Sequence, residues 1–257
     1  MNFYPEDIYQ HIIASQFNAE FMANPKTAQR ESQPKPAIEK PYKSNESLID
    51  LLKPEKLQIP PISLLSAIQN RCSCRKFSNQ PLTIQELSFL LWATQGVKKA
   101  NKNAKYTDNL HKTVPSAGAR QPFETYLIIN NIEGLKKGLY RYLSLEHKLC
   151  FIRNEQNIEA ELIEACIGQK FVAQGAVIFI WAAIPYRTEW RYGVNAYKII
   201  AQETGHICQN LYLAVQAINA GTCAISAYDQ KMIDKIIDVD GKNELAVYLA
   251  PVGKISS

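Results

Sequence analysis

The 257 residues are 46% apolar, 21% charged and 10% aromatic. That is enough chain to bury one large core or two small ones, and the composition excludes a disordered, fibrous or disulfide-stapled protein. The longest apolar run, Ala176 to Pro185, is half of the roughly 20 residues a bilayer span needs, and Glu6 and Asp7 stand where a secretion signal would be basic, so a soluble, cytoplasmic protein without a membrane partner is expected.

In chain order, a short helix is predicted near Glu6 to Phe21. Seven of the 13 prolines then fall in residues 25–61. Proline lacks a backbone donor, so this stretch reads as an extended arm that lies on a surface or wraps a neighbour. Residues 1–62 form this helix and arm; the ordered domain, 63–257, begins near Ser63. Pro81-Leu82-Thr83 opens a helix in which Thr83 is the cap, Glu86 completes a capping box and Leu82 staples onto Leu87. It runs to about Thr94 and stops at Gly96. Strands are predicted at Thr125–Ile129, Leu139–Leu143, Lys148–Ile152, Val177–Ala183, Thr222–Ser226 and Leu245–Ala250, with a helix near Ile158–Ile167. The longest helix, Tyr197 to about Ala220, carries Ile200, Ile207, Leu211, Ala214, Val215 and Ile218 on one stripe, and Gly221 ends it as a left-handed cap. Asp229 caps a last helix through Ile237. Without a regular βαβ alternation, the fold class is α+β rather than a doubly wound sheet.

Lysine and arginine outnumber the acids 29 to 24, a net charge of +5. Residues 71–120 hold nine basic side chains against Glu86 and Asp108. This excess suits an anionic partner, although a solvated loop over Lys98–Lys112 has the same appearance. In an extended Arg71-Cys72-Ser73-Cys74-Arg75, Arg71, Ser73 and Arg75 share one face. Two guanidinium forks beside a hydroxyl suit a phosphate, and a solvated strand face shows the same alternation. Pro115-Ser116-Ala117-Gly118-Ala119-Arg120-Gln121-Pro122 lets backbone approach a flat ligand closely, as it also suits a tight turn. Gly205, inside the long helix, costs about 1 kcal/mol relative to alanine, which implies close packing against another helix or a ring. Its neighbour His206 reads either as an acid or as a hydrogen-bonded structural residue. Lys254, near the C-terminus, can complete an anion site. The six cysteines contain no C-x-x-C pair, and the four histidines have no ligand spacing, so reduced thiols and no metal are expected.

Together these segments resemble the nitroreductase superfamily of flavin enzymes, and within it the SagB-type dehydrogenases, whose azoline-oxidising members make thiazoles and oxazoles in modified peptides. The similarity covers residues 63–255. It is carried by Arg71-x-Ser73-x-Arg75-x-Phe77, Pro81-Leu82-Thr83, Leu90-Leu91-Trp92-Ala93-x-Gln95-Gly96, Pro115-Ser116-Ala117-Gly118-Ala119, Gly138-Leu139-Tyr140-x-Tyr142, Gly205-His206-Ile207-x-Gln209-Asn210-Leu211 and Pro251-Val252-Gly253. The resemblance implies a mixed or antiparallel sheet flanked by helices, and a homodimer with FMN at the subunit interface. By this resemblance Arg71, Ser73 and Arg75 hold the phosphate and pyrimidine end, and Lys254 joins them. Ser116, Ala117 and Gly118 come from the other subunit. Gln169 or Lys170 approaches N1 and O2 of the flavin, and the loop at Ser226 and Ala227 points a backbone N–H at N5. Ala119 stands where plain nitroreductases often have asparagine.

Azoline dehydrogenases of this group carry a lysine-tyrosine pair where this chain has Arg191-Tyr192. Arginine cannot serve as a base, though it can stabilise a Tyr192 phenolate. The resemblance thus implies an FMN-dependent oxidoreductase acting on a peptide azoline or a small molecule by hydride transfer to N5. The alternatives are an NAD(P)H-dependent nitro or quinone reductase and a flavin-binding module without turnover. A nucleic-acid partner is not expected, because no aromatics interleave with the lysines.

Overall fold

The computed structural model describes residues 26–43, 46–100, 110–155 and 157–255. The helix predicted near Glu6 to Phe21 lies outside them. The elements are β1 (Ser47–Asp50), α1 (Leu64–Asn70), α2 (Ile84–Gln95), β2 (Val97–Ala100), β3 (Leu110–Lys112), β4 (Phe123–Ile129), β5 (Gly138–Leu143) and β6 (Lys148–Asn154). There follow α3 (Glu159–Ala165), β7 (Val177–Ala183), α4 (Tyr186–Tyr192), α5 (Ala196–Ala214), β8 (Ala220–Thr222), α6 (Gln230–Ile236) and β9 (Leu245–Lys254).

Seven strands form one sheet in the order β1-β6-β5-β4-β7-β9-β8, with every neighbouring pair antiparallel. β2 and β3 pair separately. Strand β7 is buried on both faces, which is why its sequence reads as an unbroken apolar run. Along β7, Val177, Phe179, Trp181 and Ala183 point into one core with Leu87, Leu90 and Leu91 of α2 and Ile207 and Leu211 of α5. Ile178, Ile180 and Ala182 point into a second core with Leu162 of α3 and Ile233 and Ile236 of α6. The result is an α+β fold with an antiparallel sheet flanked by helices.

Local signals place several elements as expected. Thr83 caps α2 and makes both bonds of a capping box with Glu86, while Leu82 and Leu87 are buried in one core. The Asp229 side chain accepts from Met232 N at 2.9 Å and caps α6. The end of α5 differs from expectation. Regular helix stops at Ala214 and continues as a 3-10 turn to Ile218, and the left-handed residue is Asn219 (φ 50°) rather than Gly221. Gly221 sits inside β8, and a Cβ there would lie 2.5 Å from the Cys74 Cβ. Its missing side chain therefore makes room for the 71–75 segment. Gly221→Ala is expected to cost about 1–3 kcal/mol by overpacking, read as a lower urea midpoint; an unchanged midpoint would contradict this contact.

The strand expected at Thr222–Ser226 is Ala220–Thr222 instead. Beyond it only Ile225 bridges to Leu249, so Ser226 and Ala227 are free to form a loop. The proline-rich segment also departs from expectation, because it supplies β1, which pairs with β6 at the sheet edge. Its prolines flank this strand without entering it. Ordered chain therefore begins well before Ser63. Residues 37–41 are strapped to the sheet: Arg187 donates to Ala37 O at 2.8 Å, and Arg141 donates to Lys40 O and Pro41 O at 2.7 and 3.0 Å. Further back, Trp190 Nε1 donates to Gln33 O, so the arm also braces α4.

Candidate functional site

The 71–75 segment is extended, as its alternation requires. Ser73 bridges to Thr222, and Cys74 N donates to Thr222 O at 2.9 Å. Cys74 turns toward Gly221, while the Ser73 hydroxyl lies 3.0 Å from the Tyr212 hydroxyl on α5. Tyr212 ties three pieces together. Its ring lies 5.4 Å beneath the Arg71 guanidinium, and its hydroxyl accepts from Ala224 N at 2.9 Å. Arg75 stands 5.7 Å over the ring of Phe171, next to Lys170. Gln169 donates from Nε2 to Cys166 O and Ala227 O, each at 3.0 Å. Ser73 and Gln169 thus bond directly to residues 222–227 and Arg71 reaches them through Tyr212, while Arg75 and Lys170 flank Phe171.

A cavity of about 510 Å³ adjoins this cluster, with Gly205, Ser226, Tyr197, Ala201 and Tyr248 among its walls. A Cβ on Gly205 would meet nothing within 4 Å. The glycine therefore opens a mostly apolar hollow instead of packing against another helix of this chain. His206 beside it is exposed, and Asn210 binds α5 to α2 by donating to Ala93 O at 2.8 Å. Lys254 is placed differently from the other basic residues. Its ammonium donates to Glu86 Oε1 at 2.5 Å and to Ile218 O at 2.6 Å, so it ties β9 to the start of α2.

The remaining expected residues form a second group. In the 115–122 loop, Ser116 Oγ accepts from Gln121 N at 2.9 Å, and Ala117 N donates to Glu203 Oε1 of α5 at 2.6 Å. Gly118 (φ 56°), Ala119 (φ 53°) and Gln121 (φ 52°) all adopt left-handed backbone. A Cβ on Gly118 would lie 2.7 Å from the Tyr192 hydroxyl and 3.0 Å from Arg191 Cδ, so the end of α4 rests directly on this loop. Arg191 stands 5.7 Å over the Tyr192 ring. Between the loop, Arg191 and the β2–β3 pair lies a cavity of about 630 Å³. Arg71 and Arg75 line neither this cavity nor the 510 Å³ one.

Within one chain the two groups are anchored nine residues apart on α5, at Glu203 and Tyr212, which is about 13 Å of helix rise. Neither anchor was singled out from the sequence. For Glu203 a signal existed: an acid between Ile200 and Ile207 falls on the buried stripe and must find donors. Burial pushes its carboxyl up from 4.5 to about 7, against the opposing pull of Ala117 N–H and the Ser116 hydroxyl.

Among the described residues no helix is long and apolar enough to cross a membrane, and no group of three histidine, cysteine or acidic side chains is placed to hold a metal.

The Methanocaldococcus jannaschii protein named "Putative nitroreductase MJ1384" is 32% identical over 206 residues, 80% of this chain and 98% of that one. The trifolitoxin-processing protein TfxB of Rhizobium leguminosarum bv. trifolii is 26% identical over 137 residues, 52% of this chain and 37% of that protein. A crystal structure titled "putative nitroreductase" from Ralstonia eutropha JMP134 matches with a TM-score of 0.67 at 23% identity, covering 87% of this chain and 95% of that one. Residues 68–254 match the profile of the Nitroreductase family, and the chain belongs to that family.

Proposed function

We propose that this protein is an FMN-dependent oxidoreductase that works as a homodimer, closest in role to a SagB-type dehydrogenase oxidising a peptide azoline or a small molecule. The observation that carries this reading is that Arg71 and Ser73, through Tyr212, and Gln169 meet the 222–227 segment, whose Ser226 lines a hollow left open at Gly205. Such a hollow suits a flat ring, and the guanidinium groups of Arg71 and Arg75, outside its lining, are of the type that binds a phosphate.

When bound, FMN supplies the two-electron chemistry. The chain's own residues bind and orient. Arg71, Ser73 and Arg75 hold the phosphate and pyrimidine end. Lys170 offers a cation where reduction leaves negative charge, which stabilises it without reorganisation, while Gln169, its two Nε2 hydrogens bonded to Cys166 O and Ala227 O, holds the 226–227 loop beside it. Backbone N–H groups of the 226–227 loop orient the ring edge, and Lys254 fixes the end of β9 through Glu86. Ser116, Ala117 and Gly118 serve the second subunit's site, consistent with their distance from the arginine cluster in one chain. The outward apolar residues of α1, Leu64, Leu65 and Ile68, are 54–67% exposed and give the subunits a surface to share. Tyr192 takes the substrate proton, with Arg191 as its charge partner. The likeness to TfxB, a trifolitoxin-processing protein, supports the peptide branch.

Arg71→Glu is expected to weaken FMN binding about tenfold or more, the loss of one or two charge-assisted hydrogen bonds, with an unchanged circular dichroism spectrum. Undiminished FMN affinity would count against the cluster as the phosphate site. One observation favours a second reading, an NAD(P)H-dependent nitro or quinone reductase: arginine at 191 cannot serve as the base that azoline oxidation uses. Fast flavin reduction by NAD(P)H and reoxidation by a nitrofuran would select the reductase. Slow reduction with oxygen-coupled oxidation of an azoline peptide, lost in Tyr192→Phe, would select the dehydrogenase.

A further inference from the structure

We propose that the 630 Å³ cavity beside Arg191 and Tyr192 is an anion-recognition site, in which Arg191, Lys98 and His111 clamp a carboxylate or phosphate of the molecule that exchanges electrons with this enzyme. The inference rests on the redox reading above for the role of that molecule, and on the cavity alone for its charge.

Three separate stretches supply the clamp. Lys98 lies at a register shift between Val97 and Lys99 of β2, an irregularity that re-aims a side chain. On β3, Leu110 and Lys112 are buried while His111 between them is exposed, so the strand's alternation turns His111 outward. The Lys112 ammonium points inward, donating to Gln95 Oε1 at 2.8 Å. Arg191 comes from the end of α4, and the missing side chain of Gly118 lets its stem lie on the 115–122 loop. Ser116 and Gln121 complete the wall with neutral polar groups.

Among the described residues the lining includes no acid. The acid bonded to this loop, Glu203, is occupied by Ala117 N–H and Ser116. A cavity of this size suits a small ligand or part of a larger one. Guanidinium presents paired donors to carboxylate or phosphate and keeps its charge at all physiological pH. Arginine at 191, useless as a base, is thus well suited to hold an anion next to the Tyr192 hydroxyl.

The test uses inorganic pyrophosphate as probe, titrated by calorimetry into the protein as purified, saturated with FMN where it takes up flavin, and into Lys98→Glu and Lys242→Glu. Lys242 is exposed and does not line the cavity. We expect one pyrophosphate site per chain, weakened by salt and weakened about tenfold or more in Lys98→Glu but not in Lys242→Glu. No binding, or equal loss in both variants, would overturn the proposal. Competition then identifies the source of the anion. NADPH displacing pyrophosphate better than NADH assigns a dinucleotide phosphate; a peptide acid displacing it better than its amide assigns a carboxylate. No difference within either pair would again overturn the proposal. Because calorimetry needs no flavin colour, the two readings fail separately. Yellow protein that ignores pyrophosphate removes only the anion site, whereas colourless protein that binds it removes only the redox reading.

Discussion

Replacing Glu124 with glutamine is expected to destabilise the protein by about 3–5 kcal/mol, the typical consequence of removing one partner from a buried charge cluster. Glu124 is 2% exposed in β4. Its Oε1 accepts from Arg187 Nη2 at 2.6 Å and from Lys40 N at 2.7 Å, and its Oε2 accepts from Arg141 Nη1 at 3.2 Å. Both arginines are themselves buried, so an amide of the same shape leaves two desolvated guanidiniums with one anion fewer. Glu124 also acts on Lys112, whose ammonium burial pushes down to about 8 while this carboxylate opposes the change. The same three side chains hold residues 37–41 against the sheet, so the arm should loosen first. A urea melt combined with limited proteolysis checks both parts: a lower midpoint together with earlier cleavage in the arm is expected, and an unchanged midpoint would contradict the account.

Glu203→Gln is expected to have the opposite sign at alkaline pH. Desolvation holds the Glu203 carboxyl near 7 in the folded protein, above its ordinary 4.5. A group whose folded value is raised contributes stability that is fully present below the unfolded value and is lost as pH rises through the folded one. At about 1.4 kcal/mol per pH unit, wild-type protein loses about 3 kcal/mol from this group between pH 4.5 and pH 8. Glutamine retains an acceptor for Ala117 N–H and does not titrate. The variant should therefore match wild type near pH 4.5 and exceed it by about that amount at pH 8. Stability curves for the two proteins that run parallel across this range would contradict the burial of a titrating acid behind the 115–122 loop.

What the sequence discloses follows from the range of each interaction. The capping box at Thr83 and Glu86 and the Asp229 cap are settled within one helical turn, and both stand where the residues predict. β7 is bounded as predicted because Val177–Ala183 is buried on both faces and so carries no polar break. The choice between Asn219 and Gly221 as the left-handed residue is not local. Both residue types tolerate that conformation, and the Cys74 side chain packed over residue 221 decides it. Cys223-Ala224-Ile225 has strand composition, but after Thr222 the chain keeps only a single bridge at Ile225, a tertiary outcome invisible in three residues. Ser47–Asp50 lies among prolines, and only the free edge of β6 makes a strand of it.

The site divides in the same way. Arg71 and Ser73 both meet Tyr212, a shared face that extended backbone makes legible in the residues, whereas Arg75 stands over Phe171. Tyr212, which joins that face to Ala224, is placed by a contact 139 positions distant in sequence from Ser73 and has no local signature. Gly205 is legible as an anomaly, and of the two expected partners, another helix or a ring, no helix of this chain meets it.

The central claim, that this chain binds FMN, is tested most directly by the absorbance spectrum of protein purified without added flavin. The account predicts yellow protein with two flavin bands and one FMN released per chain on denaturation. Colourless protein whose melting temperature does not rise with added FMN would contradict it.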